Sequence, residues 1–431
     1  MKVQLIADSC FLFEFNGVRV LTDPWIGGAI YGGSWLQYPP PTIQAKDIGA
    51  LDYIFISHIH EDHCDLKTLE KLDRNATVVL MDKKPNFVEK FLKYHSLKFK
   101  DIINLRPRVK FEAAPCLYFE VVEADPEHEL NHILDSSLLI HFDSKTIYFA
   151  NDNPPYPGLD QYLSQYNFEL ALLPPAGGSG YPACYQNLTD SEKLERAAQI
   201  IEKYQKQMLA CLRRLKPRLF ACAASSHVLA GRSAKLNGLM AWPKSAASPY
   251  KYLAGEVSKN DQFKPVLLNP GDQLELESEA GADYTSAIAF YENEYKRTQF
   301  INDVASNVLH GHEFIQLVPT VSFEYLMNLA FARLKGYLDA KNINLSWSYS
   351  IQIALGQYAN ISLSKPYTLE FSTKPCENNR LVIACDKNLL YLLLTGGFSW
   401  NIADASGFLS YHRFPDKYIF EVYIALNHLR I

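Results

Sequence analysis

The chain opens with short apolar runs at Val3–Ile6, Cys10–Phe15 and Val18–Leu21. Asn16-Gly17 separates the last two, and that pair accepts the positive φ angles of a tight hairpin turn, so the pattern predicts antiparallel strands. From Asp23 to Pro41 the chain is rich in Gly, Pro and Trp. It is too irregular for a regular element and too aromatic for a solvated linker, which predicts an ordered loop covering something. Tyr53–Ser57 reads as a buried strand that runs straight into His58, and further strands are expected at Ala76–Leu80, Leu117–Val122, Ser137–Phe142, Thr146–Phe149, Leu170–Leu173 and Leu219–Ala223. Thr189-Asp-Ser-Glu192 has the pattern in which a hydroxyl and a carboxylate satisfy the first free N–H groups of a helix. It predicts a helix to about Leu215 and restores a strand, helix, strand order. After about residue 280 the character changes. An amphipathic helix over Ser322–Ala340 precedes alternating strands from Leu345 to Ala384, and helices are expected at Asn388–Leu394 and Lys417–Leu429. The expected division is therefore 1–280 and a smaller α+β domain at 281–431.

Composition narrows the function classes. Apolar residues make up 48% and charged residues 21%, as in an ordinary folded protein. The formal net charge of −5 gives no basic excess for nucleic acid or an anionic membrane. With no long apolar run and no leader pattern, the sequence is read as cytoplasmic, with no membrane span. The eight cysteines are scattered without a CxxC pair, which argues for buried reduced thiols and against a disulfide framework, a zinc ribbon or a four-Cys iron–sulfur site.

The strongest chemical signal is Ser57-His58-Ile59-His60-Glu61-Asp62-His63. Three imidazoles and two carboxylates lie just past a strand end, where a turn can bring alternate side chains to one point. Imidazole nitrogen and carboxylate oxygen are ligands for zinc or iron, and crowding them without a cation would be electrostatically unfavourable. Ala176-Gly-Gly-Ser-Gly180 matches neither nucleotide-loop fingerprint and reads equally as a substrate-lining loop or a tight turn. Tyr181, Cys184 and Tyr185 either line the same cleft or pack in a core. His95, His141, His310, His312, His412 and His428 fall outside the pattern and receive no role.

The HxHxDH run resembles the metal-binding loop of the metallo-β-lactamase superfamily. That resemblance implies an αββα sandwich over 1–280, an α/β (α+β) class and two metal ions. His58, His60 and His132 would hold one metal, Asp62, His63 and His227 the other, with Asp152 shared. His132 stands immediately before an apolar strand, and His128, Glu127 and Glu129 compete with it. Asp152 follows strand Thr146–Phe149 and His227 follows Leu219–Ala223. Asp62 and Asp152 would be the catalytic carboxylates.

The flanks are similar to the CMP-N-acetylneuraminate hydroxylase branch of the same superfamily. The matching segments are Thr22–Trp25, the loop through Tyr38–Pro41, Asp135-Ser136, Asn151-Asp152, Pro175–Pro182 with Cys184-Tyr185, Asn269–Asp272 and the tail Gly396–Pro415. This implies an oxygen-dependent hydroxylase with iron, and a small anionic, sugar- or nucleotide-like substrate. Those hydroxylases carry an N-terminal Rieske domain, whereas this chain is expected to draw electrons from a separate ferredoxin or reductase. The alternative is a hydrolase in which zinc or iron supplies hydroxide from bound water.

Overall fold

A computed structural model describes residues 1–125, 135–153, 156–224, 227–258, 261, 263–277, 288–289, 292–314 and 321–431. In chain order the strands that build the first part are β1 Lys2–Ala7, β2 Cys10–Phe15, β3 Val18–Thr22, β4 Trp35–Gln37, β5 Tyr53–Phe55, β6 Thr77–Met81, β7 Asp101–Leu105, β8 Phe111–Ala114, β9 Leu117–Glu123, β10 Ser136–Phe142, β11 Lys145–Phe149, β12 Phe168–Leu173, β13 Leu219–Cys222, β14 His227–Leu229, β15 Lys264–Pro265 and β16 Gln273–Glu275. One seven-stranded sheet has the order β16-β1-β2-β3-β5-β6-β7, and a second has the order β15-β13-β12-β11-β10-β9-β8. In each sheet an antiparallel half gives way to a parallel half: β3, β5, β6 and β7 run parallel, as do β11, β12, β13 and β15.

The alternation of side chains along each strand sorts residues to the two faces. Phe11 and Phe13 of β2, Phe55 of β5 and Val79 of β6 meet Phe119, Leu138, Phe149 and Leu172 of the other sheet in one inner core. Their neighbours Leu12, Ile54 and Val78 face outward onto Leu69, Val88 and Leu92. On the other side Tyr148, Ala171 and Phe220 receive Leu159, Met208, Leu212 and Leu253. Helices Phe87–Tyr94 and Asp190–Leu215 thus cover opposite outer faces, and the architecture is αββα. The capping box forms at Thr189 and Glu192, and the Asn16-Gly17 turn has both φ angles positive.

Several boundaries differ from the sequence reading. The strand at Tyr53 stops at Phe55, and the final helix is Phe420–Leu426 rather than Lys417–Leu429. The sequence reading does not include the edge strands β7 and β8 or helix Phe87–Tyr94, although Asn86 caps that helix and Val88 and Leu92 repeat along its buried face. Both strands lie at sheet edges, where half-exposed positions blur the apolar alternation.

The strands β17 Ser348–Ala354, β18 Gln357–Ser362, β19 Leu369–Ser372, β20 Arg380–Ala384 and β21 Ser410–Phe414 form a separate five-stranded sheet, with order β19-β18-β17-β20-β21. Its core includes Tyr349, Leu381 and Tyr411, covered by helices Phe323–Ala340 and Lys387–Thr395. Cys184, Tyr185 and Leu188 join this core rather than the sandwich, so the segment after the glycine-rich loop is built into the second sheet's packing. The Tyr185 ring stacks on Tyr411 at 4.9 Å. No helix of the described residues is long and apolar enough to cross a membrane.

Glu120 lies inside the second sheet's outer layer, with no exposed surface. It accepts hydrogen bonds from Tyr166 (2.9 Å) and Tyr162 and pairs with His141 at 3.1 Å. Burial alone would raise its pKa, but these partners outweigh burial and hold the carboxyl below its ordinary value. The stabilisation is therefore complete above the unfolded-state pKa of about 4.3 and is lost as pH falls through the lower folded value. Glu120→Gln should destabilise by about 1–3 kcal/mol at pH 7. Urea denaturation of both chains should show this gap shrinking below about pH 4. A gap that stays constant on acidification would contradict the assignment.

Candidate metal centre

The HxHxDH segment leaves β5 because its backbone is taken up by side chains instead of the ladder. Ser57 donates its N–H to Asp23 Oδ1 at 2.8 Å and its hydroxyl to Asp23 Oδ2 at 2.9 Å. Asp23 follows β3, the parallel neighbour of β5, so two adjacent strand ends are tied together. A tight turn follows, in which His63 N and Cys64 N both donate to His60 O, at 3.0 and 2.8 Å. Successive side chains of a strand point to opposite faces, whereas this turn lets Asp62 and His63 lie on the same side as His58 and His60.

Two groups of potential ligands result, His58–His60–Asp152 and Asp62–His63–Asp152, each with ligand atoms within 4.8 Å of one another. Asp152 belongs to both. It sits just past β11, carried by Asn151 in a left-handed conformation (φ 55°), and its side chain is 42% exposed, so the shared carboxylate forms the open face of the site. His58 Nε2 and His60 Nδ1 approach to 2.8 Å. Asp135 accepts from His58 Nδ1 at 3.1 Å, which directs the lone pair of Nε2 toward His60. His63 repeats the device: Nδ1 donates to Asp23 Oδ2 at 2.8 Å, while the buried Nε2 makes no hydrogen bond and lies 3.3 Å from Asp62 Oδ2 and 3.5 Å from Asp152 Oδ2. An unpartnered buried nitrogen facing two carboxylates, beside two converging imidazole nitrogens, fits a pair of cations.

The electrostatics agree. Burial, with His58 alongside, pushes His60 down to about 4. Burial also penalises charge on His63, but Asp62, Asp152 and Asp23 together raise its pKa well above the ordinary value. Asp62 is held below the ordinary range despite burial, by His63 and its neighbouring imidazoles.

Three participants escaped the motif reading. Asp23 and Asp135 orient His63 and His58, and the Tyr31 hydroxyl donates to Asp62 Oδ1. Tyr31 comes from the Gly/Pro/Trp loop, which is ordered and lies over the centre. Its strand β4 pairs with β14, and Tyr31 N donates to Glu61 Oε2 at 2.7 Å. Asp135 reaches the site because β10 runs antiparallel to β11, so the start of one lies beside the end of the other. Asp23 and Asp135 lie in two segments of the flanking resemblance, Thr22–Trp25 and Asp135-Ser136, which gave them no role at the metals.

His227 is buried at the start of β14, with both ring nitrogens unpartnered, but it stands outside the two groups. It stacks on Trp35 at 3.8 Å, and burial lowers its pKa to about 4. His132, His128, Glu127 and Glu129 lie outside the described residues.

Beside Asp152 opens a cavity of about 320 Å³, lined also by Leu173, Ala176, Gly177 and Tyr204. Gly177 and Tyr204 also line a second cavity of about 620 Å³ between the sandwich and the five-stranded sheet. Arg196, Lys203 and Arg413 line that space, with Asp404 and Asp416 as its acidic groups. The Arg413 guanidinium packs against both Tyr181 and Tyr185, at 4.7 and 4.8 Å from the ring centres. The Ala176–Gly180 loop therefore faces cavity space, and a Cβ at Gly177 would stand 3.0 Å from the Tyr204 hydroxyl.

Replacing a partner that orients a ligand should weaken the centre without removing it. Asp135→Asn is expected to lower metal affinity about 10–100-fold, measured by competition with a chelator. Unchanged affinity would mean that Asp135 has no part in orienting His58.

Residues 18–220 match the beta-lactamase superfamily domain. The chain is 26% identical over 226 residues to a protein of Mycolicibacterium smegmatis described as a Rieske 2Fe-2S iron–sulfur protein, covering 49% of this chain and 40% of that protein. It is 33% identical over 75 residues to the cytidine monophosphate-N-acetylneuraminic acid hydroxylase of Asterias rubens, covering 17% of this chain and 12% of that enzyme. The chain thus spans less than half the length of these curated relatives. Among solved structures, the diiron beta-hydroxylase CmlA from Streptomyces venezuelae aligns with a TM-score of 0.44 at 14% identity, over 63% of this chain and 53% of that one. An isothiocyanate hydrolase from Delia radicum gut bacteria aligns with a TM-score of 0.44 at 14% identity, over 64% of this chain and 98% of that one. With the ligand-bearing loop set at the sheet edges of an αββα sandwich, this chain carries a metallo-β-lactamase-fold domain of the beta-lactamase superfamily.

Proposed function

We propose that this metallo-β-lactamase-fold metalloenzyme is an oxygen-dependent hydroxylase of a small anionic, sugar- or nucleotide-like substrate, working with two iron ions and an external electron donor. The observation that carries the reading is the pair of converging ligand groups sharing Asp152, in a chain with segments similar to named hydroxylases. His58, His60, Asp62, His63 and Asp152 would hold the metals, with His132 and His227 as the further ligands. When bound, two irons supply oxygen activation, and in a hydrolase two zinc or iron ions would instead lower the pKa of bound water.

The chain's own groups have definable roles in either case. Asp135 and Asp23 fix the tautomers of His58 and His63, and the Tyr31 hydroxyl holds one oxygen of Asp62, leaving the other toward His63. Trp35 and Trp242 pack around His227 and exclude water from that side. Asp152 lines the adjoining cavity, which would receive the reacting group, and Gly177 and Tyr204 border both this cavity and the larger one. Arg196 and Lys203 lie in the larger cavity beyond, which supports an anionic substrate of sugar-nucleotide size. The relatives described as Rieske iron–sulfur proteins support an iron–sulfur ferredoxin or reductase as the electron donor.

The hydrolase reading keeps its place because the same shared carboxylate and open face suit metal-activated water. Iron-loaded protein, a chemical reductant and cytidine monophosphate-N-acetylneuraminate, the substrate named by the relatives, provide the first test, repeated with related sugar nucleotides. Product carrying oxygen from labelled O₂, absent under anaerobic conditions, is the expected outcome. Product formed equally without O₂ and labelled from water would overturn the hydroxylase and establish the hydrolase.

A further inference from the structure

A second cluster of metal-ligating side chains stands apart from the centre above. His310, His312 and Glu313 occupy one turn, with ligand atoms within 4.8 Å of one another, and none belongs to the other two groups. Both histidines are buried, at 2% and 7% exposure. His310 Nε2 donates to Ala230 O at 3.0 Å, so its Nδ1 carries the lone pair, 3.8 Å from Glu313 Oε1. His312 Nδ1 is buried and has no hydrogen-bond partner. A nitrogen taken from water without compensation is unfavourable unless something else occupies its lone pair.

The surroundings hold the rings in this arrangement. Phe408 packs against both, with ring centres at 4.6 Å from His310 and 4.8 Å from His312. A Cβ at Gly231 would lie 2.2 Å from His310 Nε2, so only glycine lets the backbone come close enough for the Ala230 hydrogen bond. A backbone carbonyl that fixes the far nitrogen of an imidazole is the usual support behind a metal-ligating histidine.

We propose that His310, His312 and Glu313 bind one divalent cation, zinc by the chemistry of the donors, with the remaining position taken by water. Arg232 Nε lies 2.7 Å from Glu313 Oε1, and its side chain is 73% exposed. It neutralises the carboxylate when the cation is absent and can swing into solvent when the cation binds.

The place in the fold gives the site a structural purpose. Ala230 and Gly231 follow β14, which pairs with β4 of the loop over the metal centre. A Cβ on Gly33 of that loop would stand 2.5 Å from Leu309 O, so the loop that delivers Tyr31 to Asp62 backs directly onto the His310 turn. From the other side, Asn388 Nδ2 at the start of helix Lys387–Thr395 donates to His312 O at 3.1 Å. A cation here clamps the loop side of the sandwich to the C-terminal helices.

The test is zinc stoichiometry on the full chain, stripped with a chelator and reloaded. His310→Gln/His312→Gln should bind one equivalent fewer than wild type, and Glu313→Gln should bind that equivalent more weakly. Arg232→Ala should bind it more tightly. A His60→Ala/Asp62→Ala chain should keep the equivalent that the His310 variant loses, so this site and the main centre fail separately. Circular dichroism checks that each variant is folded, and zinc should raise the melting temperature of the His60→Ala/Asp62→Ala chain. Equal zinc content in wild type and a folded His310→Gln/His312→Gln chain would overturn the proposal. So would a folded His60→Ala/Asp62→Ala chain that binds none.

Discussion

Replacing His60 or Asp62 by alanine is expected to empty the centre of metal and to lower turnover about 10³-fold or more, since metal ions contribute several kcal/mol of transition-state stabilisation. The fold should survive. Both residues lie on a turn beyond β5, outside the apolar clusters that hold the sheets together. Loss of the 2.8 Å contact between His60 Nδ1 and His58 Nε2 removes one hydrogen bond, roughly 1 kcal/mol. Losing the Tyr31–Asp62 hydrogen bond removes about 1 kcal/mol, little against a total stability of about 5–15 kcal/mol. Elemental analysis beside circular dichroism decides the matter. A folded variant with full metal content would refute the assignment of these ligands.

The second large effect is on stability. Phe149 is fully buried at the end of β11, on the face between the two sheets, with its ring edge-on to Phe11 at 5.8 Å. Phe149→Ala should cost about 3–5 kcal/mol, the lost transfer free energy plus a cavity that two packed sheets cannot collapse. Against a total of about 5–15 kcal/mol, that is a large share of the whole. Urea denaturation should show a lower midpoint at an unchanged slope. Asn151 and Asp152 follow directly on this strand, so metal affinity should fall in the same variant. A loss under about 1 kcal/mol would mean that the inner face is not packed as described.

Much of the sandwich was legible because burial imposes a period on the sequence. In β2, Phe11 and Phe13 point inward while Leu12 points outward, and a strand with both faces covered becomes a short continuous apolar run. The same reasoning failed at β7 and β8, whose half-exposed edge positions carry no such constraint. The grouping of the HxHxDH loop was legible because its candidate ligands are neighbours in the chain, and the placing of Asp152 beside them because it follows a strand end of the same sandwich.

The orienting partners were decided only in three dimensions. Asp23 and His63 are separated by 40 residues and meet because β3 and β5 pair in parallel. Asp135 meets His58 because β10 and β11 form a hairpin in the opposite sheet, which brings the start of β10 over the end of β5. Tyr31 finds Asp62 only when the loop folds back through the β4–β14 pair. In the same way His310 and His312 looked like unremarkable histidines until the turn after β14 and the Phe408 ring enclosed them. A sequence records which side chains can bind a proton or a metal and which must be buried. The distance between groups far apart in the chain depends on strand pairing and sheet packing, which are summed over the whole molecule and written in no single segment.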